Sequence, residues 1–350
     1  MPSNINATSP HLEAALQAVL DRGETGVSVA AYYRGKIIAH GTAGYADVSK
    51  KFPVDEKTLF PVFSVTKGIT ALAAHIQTDR GLLNLQDHVS KYWPEFAANG
   101  KDNITVEDAL SHRAGTENAY HVLIWGWIVG EVVRRTDPKS RPFGQFVAEE
   151  ICEPLGVKDL YLGVPDFGLS RVATLSGGNE MFLEDTYNTS PIAVFPGSDV
   201  HNLKVVQQAC DPDAGAIGNA PAIARVFAMV AEGGELDGVR LLSENYVRGM
   251  TRFRQNPYDQ DKVLPIPVWF GAAGFWLGGE KGASDLLVGD HRDVIYSPGA
   301  GGSIAWADMR DRIAASICHN NMDAGVSIDP EPIWTPIGKA IRVIIKEKQE

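Results

Sequence analysis

At 350 residues, 44% of them apolar, the chain is long enough to bury one large core or two interleaved ones, and its composition is ordinarily globular. The formal net charge of -11 is scattered rather than blocked, so no basic stripe is present for a nucleic-acid backbone or an anionic membrane surface. The first residues lack a basic patch followed by an apolar run, no stretch reaches membrane-helix length, and Cys152, Cys210 and Cys318 are far apart and odd in number; a soluble cytoplasmic protein with reduced thiols is expected.

In chain order, Ser9-Pro10 before Leu12, Ala15, Leu16, Val19 and Leu20, with Gly23 as a stop, predicts a capped first helix. Val27 to Tyr33 and Lys36 to His40 flank Arg34-Gly35 and read as a β-hairpin. A central helix then runs from Ser64 to about Arg80, with Val65, Ile69, Leu72, Ala73 and Ile76 at helical spacing and Gly81 at its end. Further helices are expected from Ile104 to Leu110 and from Val122 to Arg135, whereas Gly163 to Pro212 shows no clear period. Pro221 opens a helix that Gly233-Gly234 ends, and Ser243 caps another. Trp269 to Leu277, Val294 to Tyr296, Ser303 to Asp308 and Arg312 to His319 read as strands, and Thr335-Pro336 starts an amphipathic helix bearing Ile337, Ala340, Ile341, Ile344 and Ile345. Both ends of the chain thus build one α/β lobe (1–60 and 214–350), with a mainly helical lobe (61–213) inserted between them.

The chemistry centres on Phe63-Ser64-Val65-Thr66-Lys67-Gly68. Three residues apart on a helix, Ser64 and Lys67 share a face, and Ser64 in the first turn keeps a backbone N–H that no intrahelical carbonyl claims. One segment therefore offers a nucleophile, a base and half of an oxyanion hole. For Lys67 to take a proton at neutral pH, desolvation and its own helix N-terminus must lower its pKa. With 18 serines and 15 lysines, chance alone places roughly 0.8 such spacings in the chain, so the tetrad needs its surroundings to carry weight.

Those surroundings resemble a known superfamily. Pro61 to Gly68 with Gly81-Leu82-Leu83-Asn84-Leu85-Gln86-Asp87, Leu110-Ser111-His112-Arg113-Ala114-Gly115, Glu153-Pro154-Leu155-Gly156-Val157 and Ala214-Gly215-Ala216-Ile217-Gly218 stand in the order seen in serine β-lactamases and penicillin-binding proteins, particularly the class C branch and the family VIII carboxylesterases. The resemblance implies the β-lactamase/transpeptidase-like fold, an antiparallel sheet flanked by helices with an inserted helical lobe. It implies Ser64 as nucleophile, Lys67 and Tyr120 as proton carriers, and the N–H groups of Ser64 and Ala300 as the oxyanion hole. Tyr120-His121-Val122 stands where the family has Tyr-x-Asn, so valine replaces the amide, and His121 is a candidate substrate contact in its place. In Tyr296-Ser297-Pro298-Gly299-Ala300, Ser297 takes the cationic position and Gly299 the glycine against which the acyl group lies.

The implied activity is hydrolysis of a bulky, uncharged carboxylic ester or lactone. Alternatives are transfer of the same acyl group to an alcohol or amine in natural-product assembly, and a non-catalytic binding descendant, motivated by the lost asparagine and cation. The connection 116–119 is shorter than in relatives, which predicts an open cleft lined by Trp125 and Trp127. No metal or organic cofactor is implied. Expected partners are a small-molecule ester or acyl donor and, at most, further copies of the chain, with neither nucleic acid nor membrane.

Overall fold

The computed structural model describes residues 4–113, 117–178, 197–264, 268–279, 285–323 and 333–349. Along the chain come β1 (Ile5–Ala7), α1 (Pro10–Asp21), β2 (Gly26–Tyr33), β3 (Lys36–Asp47), β4 (Phe52–Pro53), α2 (Val65–Asp79), α3 (Val106–Leu110), α4 (Ile124–Thr136) and α5 (Ala220–Ala231). β5 (Trp276–Leu277), β6 (Val294–Pro298), β7 (Ile304–Asp308), β8 (Ile313–His319) and α6 (Thr335–Glu347) complete the frame. The eight strands form one sheet in the order β1-β3-β2-β8-β7-β6-β5, with β4 paired to β3. Every pairing in it is antiparallel.

Local chemistry sets the ends of these elements. Ser9 accepts from Leu12 N at 3.2 Å with Pro10 in the first turn, and Asn219 accepts from Ala222 N at 3.0 Å, so both α1 and α5 start on a side-chain cap. Thr105 and Asp108 form a reciprocal capping box on α3. Arg34 and Gly35 both take positive φ (48° and 71°), the conformation that closes a two-residue hairpin without splaying its strands.

The sheet is buried on both faces, and alternate residues divide between them. On one face Val27, Val29, Trp306 and Ile317 pack with Leu12 and Leu16 of α1 and Ile337 and Ile341 of α6. On the other, the small side chains of Ala30, Ala305, Ala307 and Ala314 leave room for Ile223, Phe227 and Val230 of α5 and for Leu72 of α2. α2 therefore enters the core almost entirely. From Thr58 to Gln77 every residue except Ser64 is buried.

Two expectations change. The stretch Trp269 to Leu277 is not one strand: Gly271 N donates to Phe275 O and Gly274 turns at φ 82°, leaving only Trp276–Leu277 in the sheet. In the unreadable stretch, short helices occupy Asp166–Leu169, Ser198–His201 and Lys204–Gln207, while 179–196 lie outside the described residues. A small sheet joins Phe60–Pro61, Ala216–Gly218 and Leu160–Leu162, with the middle strand between the other two, and delivers the chain to Ser64. Among the described residues no helix is long and apolar enough to cross a membrane.

Gly68 lets α2 settle against β6, because a Cβ there would lie 2.9 Å from Phe227 Cζ and 3.1 Å from Ser297 Cβ. Gly68→Ala is expected to destabilise the protein by about 1–3 kcal/mol through overpacking. The urea midpoint reads this, and an unchanged midpoint would show that the seat has slack.

Candidate active site

Ser64 sits at a strained turn. The preceding residue, Phe63, is buried with φ 47°, a conformation that costs a non-glycine residue roughly 1–2 kcal/mol. Its surroundings hold it there: the Thr66 hydroxyl donates to Phe63 O and accepts from Ala216 N at 2.9 Å, and the Phe63 ring packs on His201 with centroids 4.5 Å apart. The turn aims the Ser64 hydroxyl out of an otherwise buried helix. Tyr120 Oη lies 3.0 Å from Ser64 Oγ, and Lys67 Nζ lies 3.3 Å from it.

Tyr120 reaches this position despite the short connection before it. The end of the motif, Ala114-Gly115, and Thr116 lie outside the described residues. Beyond them, Asn118 donates to Asn256 O at 2.8 Å, and Asp261 Oδ1 accepts from Tyr120 N at 3.0 Å while also accepting from Val263 N and Leu264 N. The Tyr120 ring packs against His112 (4.7 Å) and Phe270 (5.8 Å), which also touch each other (4.8 Å). His112 is fully buried, and burial with the neighbouring positive charges holds its pKa well below the ordinary value, so it packs as a neutral ring. His121 donates its backbone N–H to His112 Nδ1 at 3.0 Å, and burial lowers its own pKa.

Lys67 is 3% exposed and surrounded by oxygen. Besides Ser64 it donates to Val122 O at 2.7 Å and Asp213 O at 3.4 Å, and Asp213 Oδ1 is 3.2 Å from Nζ. That carboxylate lies off the hydrogen-bonding line, so the contact is an ion pair rather than an aligned bond. Gly126 makes the approach possible, since a Cβ there would lie 2.4 Å from Pro212 C and 2.5 Å from Asp213 N.

Sequence reasoning missed Asp213. Its place in Asp211-Pro212-Asp213 was visible, but nothing local joins it to Lys67, 146 residues away. It also corrects the expectation of a neutral lysine. Burial pulls the Lys67 pKa down, but Tyr120 and Asp213 push it up by more, and the net shift is upward. Among the described residues, Tyr120 Oη and Lys67 Nζ are thus the two polar groups beside the Ser64 hydroxyl.

On the other side of Ser64, β6 ends against the helix start. A Cβ on Gly299 would lie 2.3 Å from Val62 O, so only glycine permits this approach, and it carries Ala300 into a small cluster with Phe63, Leu175 and Met322. Among the described residues no backbone carbonyl takes the N–H of Ser64 or of Ala300, which leaves both available for an oxyanion.

A family model described as Beta-lactamase matches residues 11–331. The chain belongs to the β-lactamase family. Esterase/beta-lactamase LipL of Mycobacterium tuberculosis is 28% identical to it over 344 residues, covering 85% of this chain and 77% of that protein. A family VIII carboxylesterase superposes with a TM-score of 0.84 at 27% identity, and a penicillin-binding protein homologue from Caulobacter crescentus with 0.82 at 28%; each match spans 97% of this chain and 100% of the other. The protein is accordingly an enzyme of the serine-hydrolase kind with the β-lactamase/transpeptidase-like fold.

Two expected substrate contacts are corrected. Ser297 is 4% exposed and donates to Ser64 O at 2.8 Å, so its hydroxyl ties β6 to α2 instead of facing the cleft. Trp125 is 1% exposed, donates its indole N–H to Leu110 O at 2.9 Å and faces the core; Trp127, 55% exposed, lines the open side. The one group of metal-ligating side chains found among the described residues, His291, Asp308 and Asp311, stands at the opposite end of β6 from Ser297, and an ordinary His291 to Asp308 contact of 3.0 Å accounts for it.

Burial raises the Asp213 pKa from 3.8 to about 6. Folding therefore favours its protonated form: its contribution to stability is greatest below pH 3.8 and declines as pH rises toward 6. Asp213→Asn is expected to remove that decline in thermal melts. It also removes a negative charge beside the Lys67–Tyr120 pair, so the rising limb of acylation against pH should move down by at least about one unit. Single-turnover rates from pH 5 to 10 read the limb, and an unmoved limb would separate Asp213 from the proton path.

Proposed function

We propose that this protein is a serine esterase that works through an acyl-enzyme on Ser64, with an uncharged carboxylic ester or lactone as substrate. The observation that carries the reading is the accessible Ser64 Oγ at a strained turn, within 3.0 Å of Tyr120 Oη and 3.3 Å of Lys67 Nζ. As Oγ attacks the carbonyl carbon, its proton passes to the Lys67–Tyr120 pair, and the carbonyl oxygen gains charge facing the N–H groups of Ser64 and Ala300. The C–O bond to the alcohol then breaks, and the pair returns the proton to the departing oxygen. Water attacks the acyl-enzyme by the same route in reverse.

The lost asparagine and cation do not favour a non-catalytic binder, because Val122 O and Asp213 take up the Lys67 ammonium that the amide would otherwise meet. Passing the acyl group to an alcohol or amine uses the same intermediate and would make the enzyme an acyltransferase of natural-product assembly. A hydrolase with promiscuous acyltransferase activity and simvastatin synthase, at 20% and 17% identity, share the fold. Product analysis with an added alcohol separates the two. Three free thiols fit a reducing compartment, which makes the cytoplasm the expected location.

Ser64→Ala is expected to abolish p-nitrophenyl ester turnover and labelling by a fluorophosphonate while leaving the melting temperature near that of the parent. Retention of more than a few per cent of the rate would remove Ser64 from the nucleophile's role. A chromogenic cephalosporin, whose carboxylate meets no cation at position 297, should react about ten- to a hundredfold more slowly in kcat/KM than an uncharged ester. Comparable rates would contradict the uncharged-substrate reading.

A further inference from the structure

The loop that offers the Ala300 N–H is not held in place by its own sequence. It joins β6 to β7 through Gly299, Ala300, Gly301, Gly302 and Ser303, and Gly301 and Gly302 take φ of 82° and 122°, a region in which glycine meets little steric restraint. Two bonds close the loop on itself: Gly299 N donates to Ser303 O at 2.6 Å, and Gly302 N donates to Gly299 O at 3.0 Å. The second bears on catalysis, because the Gly299 carbonyl and the Ala300 N–H belong to one planar peptide unit. Whatever fixes Gly302 therefore helps to fix the direction of the oxyanion donor.

Gly302 is tied down by a side chain 32 residues away. Trp334, 5% exposed at the start of α6, donates its indole N–H to Gly302 O at 2.9 Å. Its ring stands steeply against that of His319, with centroids 5.0 Å apart and 73° between the planes. His319, buried at the end of β8, presents Nδ1 3.0 Å from Glu24 Oε2 and donates its backbone N–H to Ser303 Oγ at 3.4 Å. Glu24 Oε1 in turn accepts from the backbone N–H groups of Thr25, Gly26 and Asn321 at 2.9, 3.2 and 3.2 Å. Glu24, His319 and Trp334 thus form a buried row from the turn between α1 and β2 to the oxyanion loop, and a buried polar row with its partners in place holds one geometry.

We propose that Trp334 is a positioning residue for the attack by Ser64: its indole N–H holds the Gly302 carbonyl, and through the bond from Gly302 to Gly299 it keeps the Ala300 N–H aimed at the developing oxyanion, with His319 and Glu24 as its backing. The role rests on the Ser64 acyl-enzyme reading and adds to it the side chain that aims one of the two oxyanion donors. Removing such a donor outright costs about 10²–10³ in rate; a donor that remains but swings off line should cost less, roughly tenfold. Because the contact tightens only as charge develops on the carbonyl oxygen, the loss should fall on the chemical step and not on ester binding.

Trp334→Phe keeps an aromatic ring against His319 and removes the donor. In a single turnover, p-nitrophenol release from p-nitrophenyl butyrate should fall about tenfold at saturating ester, with the half-saturating concentration within about twofold of the parent's. Affinity for phenylboronic acid, whose tetrahedral adduct on Ser64 Oγ places an oxygen in the oxyanion hole, should weaken by a similar factor. A tryptophan that serves only packing would lower the melting temperature and leave both constants of the folded enzyme at the parent's values, and that result overturns the proposal. Should Trp334→Phe fail to fold, as a thermal melt would show, Glu24→Gln decides by the same two constants, since it keeps an oxygen for the backbone N–H groups and alters the face toward His319. If a fluorophosphonate labels Ser64 in the parent while the variants react as the parent does, the acyl-enzyme reading stands and the positioning role alone falls. If neither the probe nor the ester modifies Ser64 in the parent, both fall.

Discussion

The buried ammonium of Lys67 is the constraint on which the rest of the site depends. An unpaired charge in a protein interior costs several kcal/mol, so the chain must bring oxygen to it from several directions. Here the oxygens come from Ser64 on its own helix, from Val122 at the start of α4, and from both the carbonyl and the carboxylate of Asp213. Those segments are far apart in sequence, and they meet only when α2 is seated against the sheet and 211–214 crosses α4 over Gly126. Solvating one charge and assembling the catalytic geometry are therefore the same event.

Close approach of backbone is the second condition. Gly68, Gly126 and Gly299 each stand where a Cβ would meet a neighbouring chain at about 3 Å or less, and together they let α2, the 211–214 segment and β6 converge around Ser64. The positive φ of Phe63 belongs to the same design, since it turns Ser64 outward from a helix buried on every side. Ser297 fits this picture better as a tie than as a ligand: its hydroxyl fastens β6 to the carbonyl of the nucleophile itself.

What was legible in the sequence was what local spacing determines. Ser64 and Lys67 lie three apart on one helix, the caps at Ser9 and Ser243 fall within a turn of their partners, and Arg34-Gly35 closes its hairpin locally. Asp213 and Asp261 escaped because their contacts with Lys67 and Tyr120 cross 146 and 141 residues, and no period marks such a contact. Trp125 was different. Trp125, Ile128, Val129, Val132 and Val133 form one buried stripe at helical spacing, which places Trp127 two positions round on the open face, so the pattern that would have separated the two tryptophans was present.

The electrostatic balance around Ser64 connects these observations to selectivity. Where the family carries a cation, this enzyme has a buried serine that is already bonded, and Asp211 and Asp213 stand near a single ammonium. An anionic acyl group would enter with no cation at position 297 and with a carboxylate ahead of it, in a chain that is itself acidic. In the proposed reading, selectivity for neutral substrates arises by exclusion rather than by a new attraction. In the same reading, the Asp213 carboxylate that pairs with Lys67 also turns an anionic substrate away, so proton handling and substrate choice are linked through one side chain.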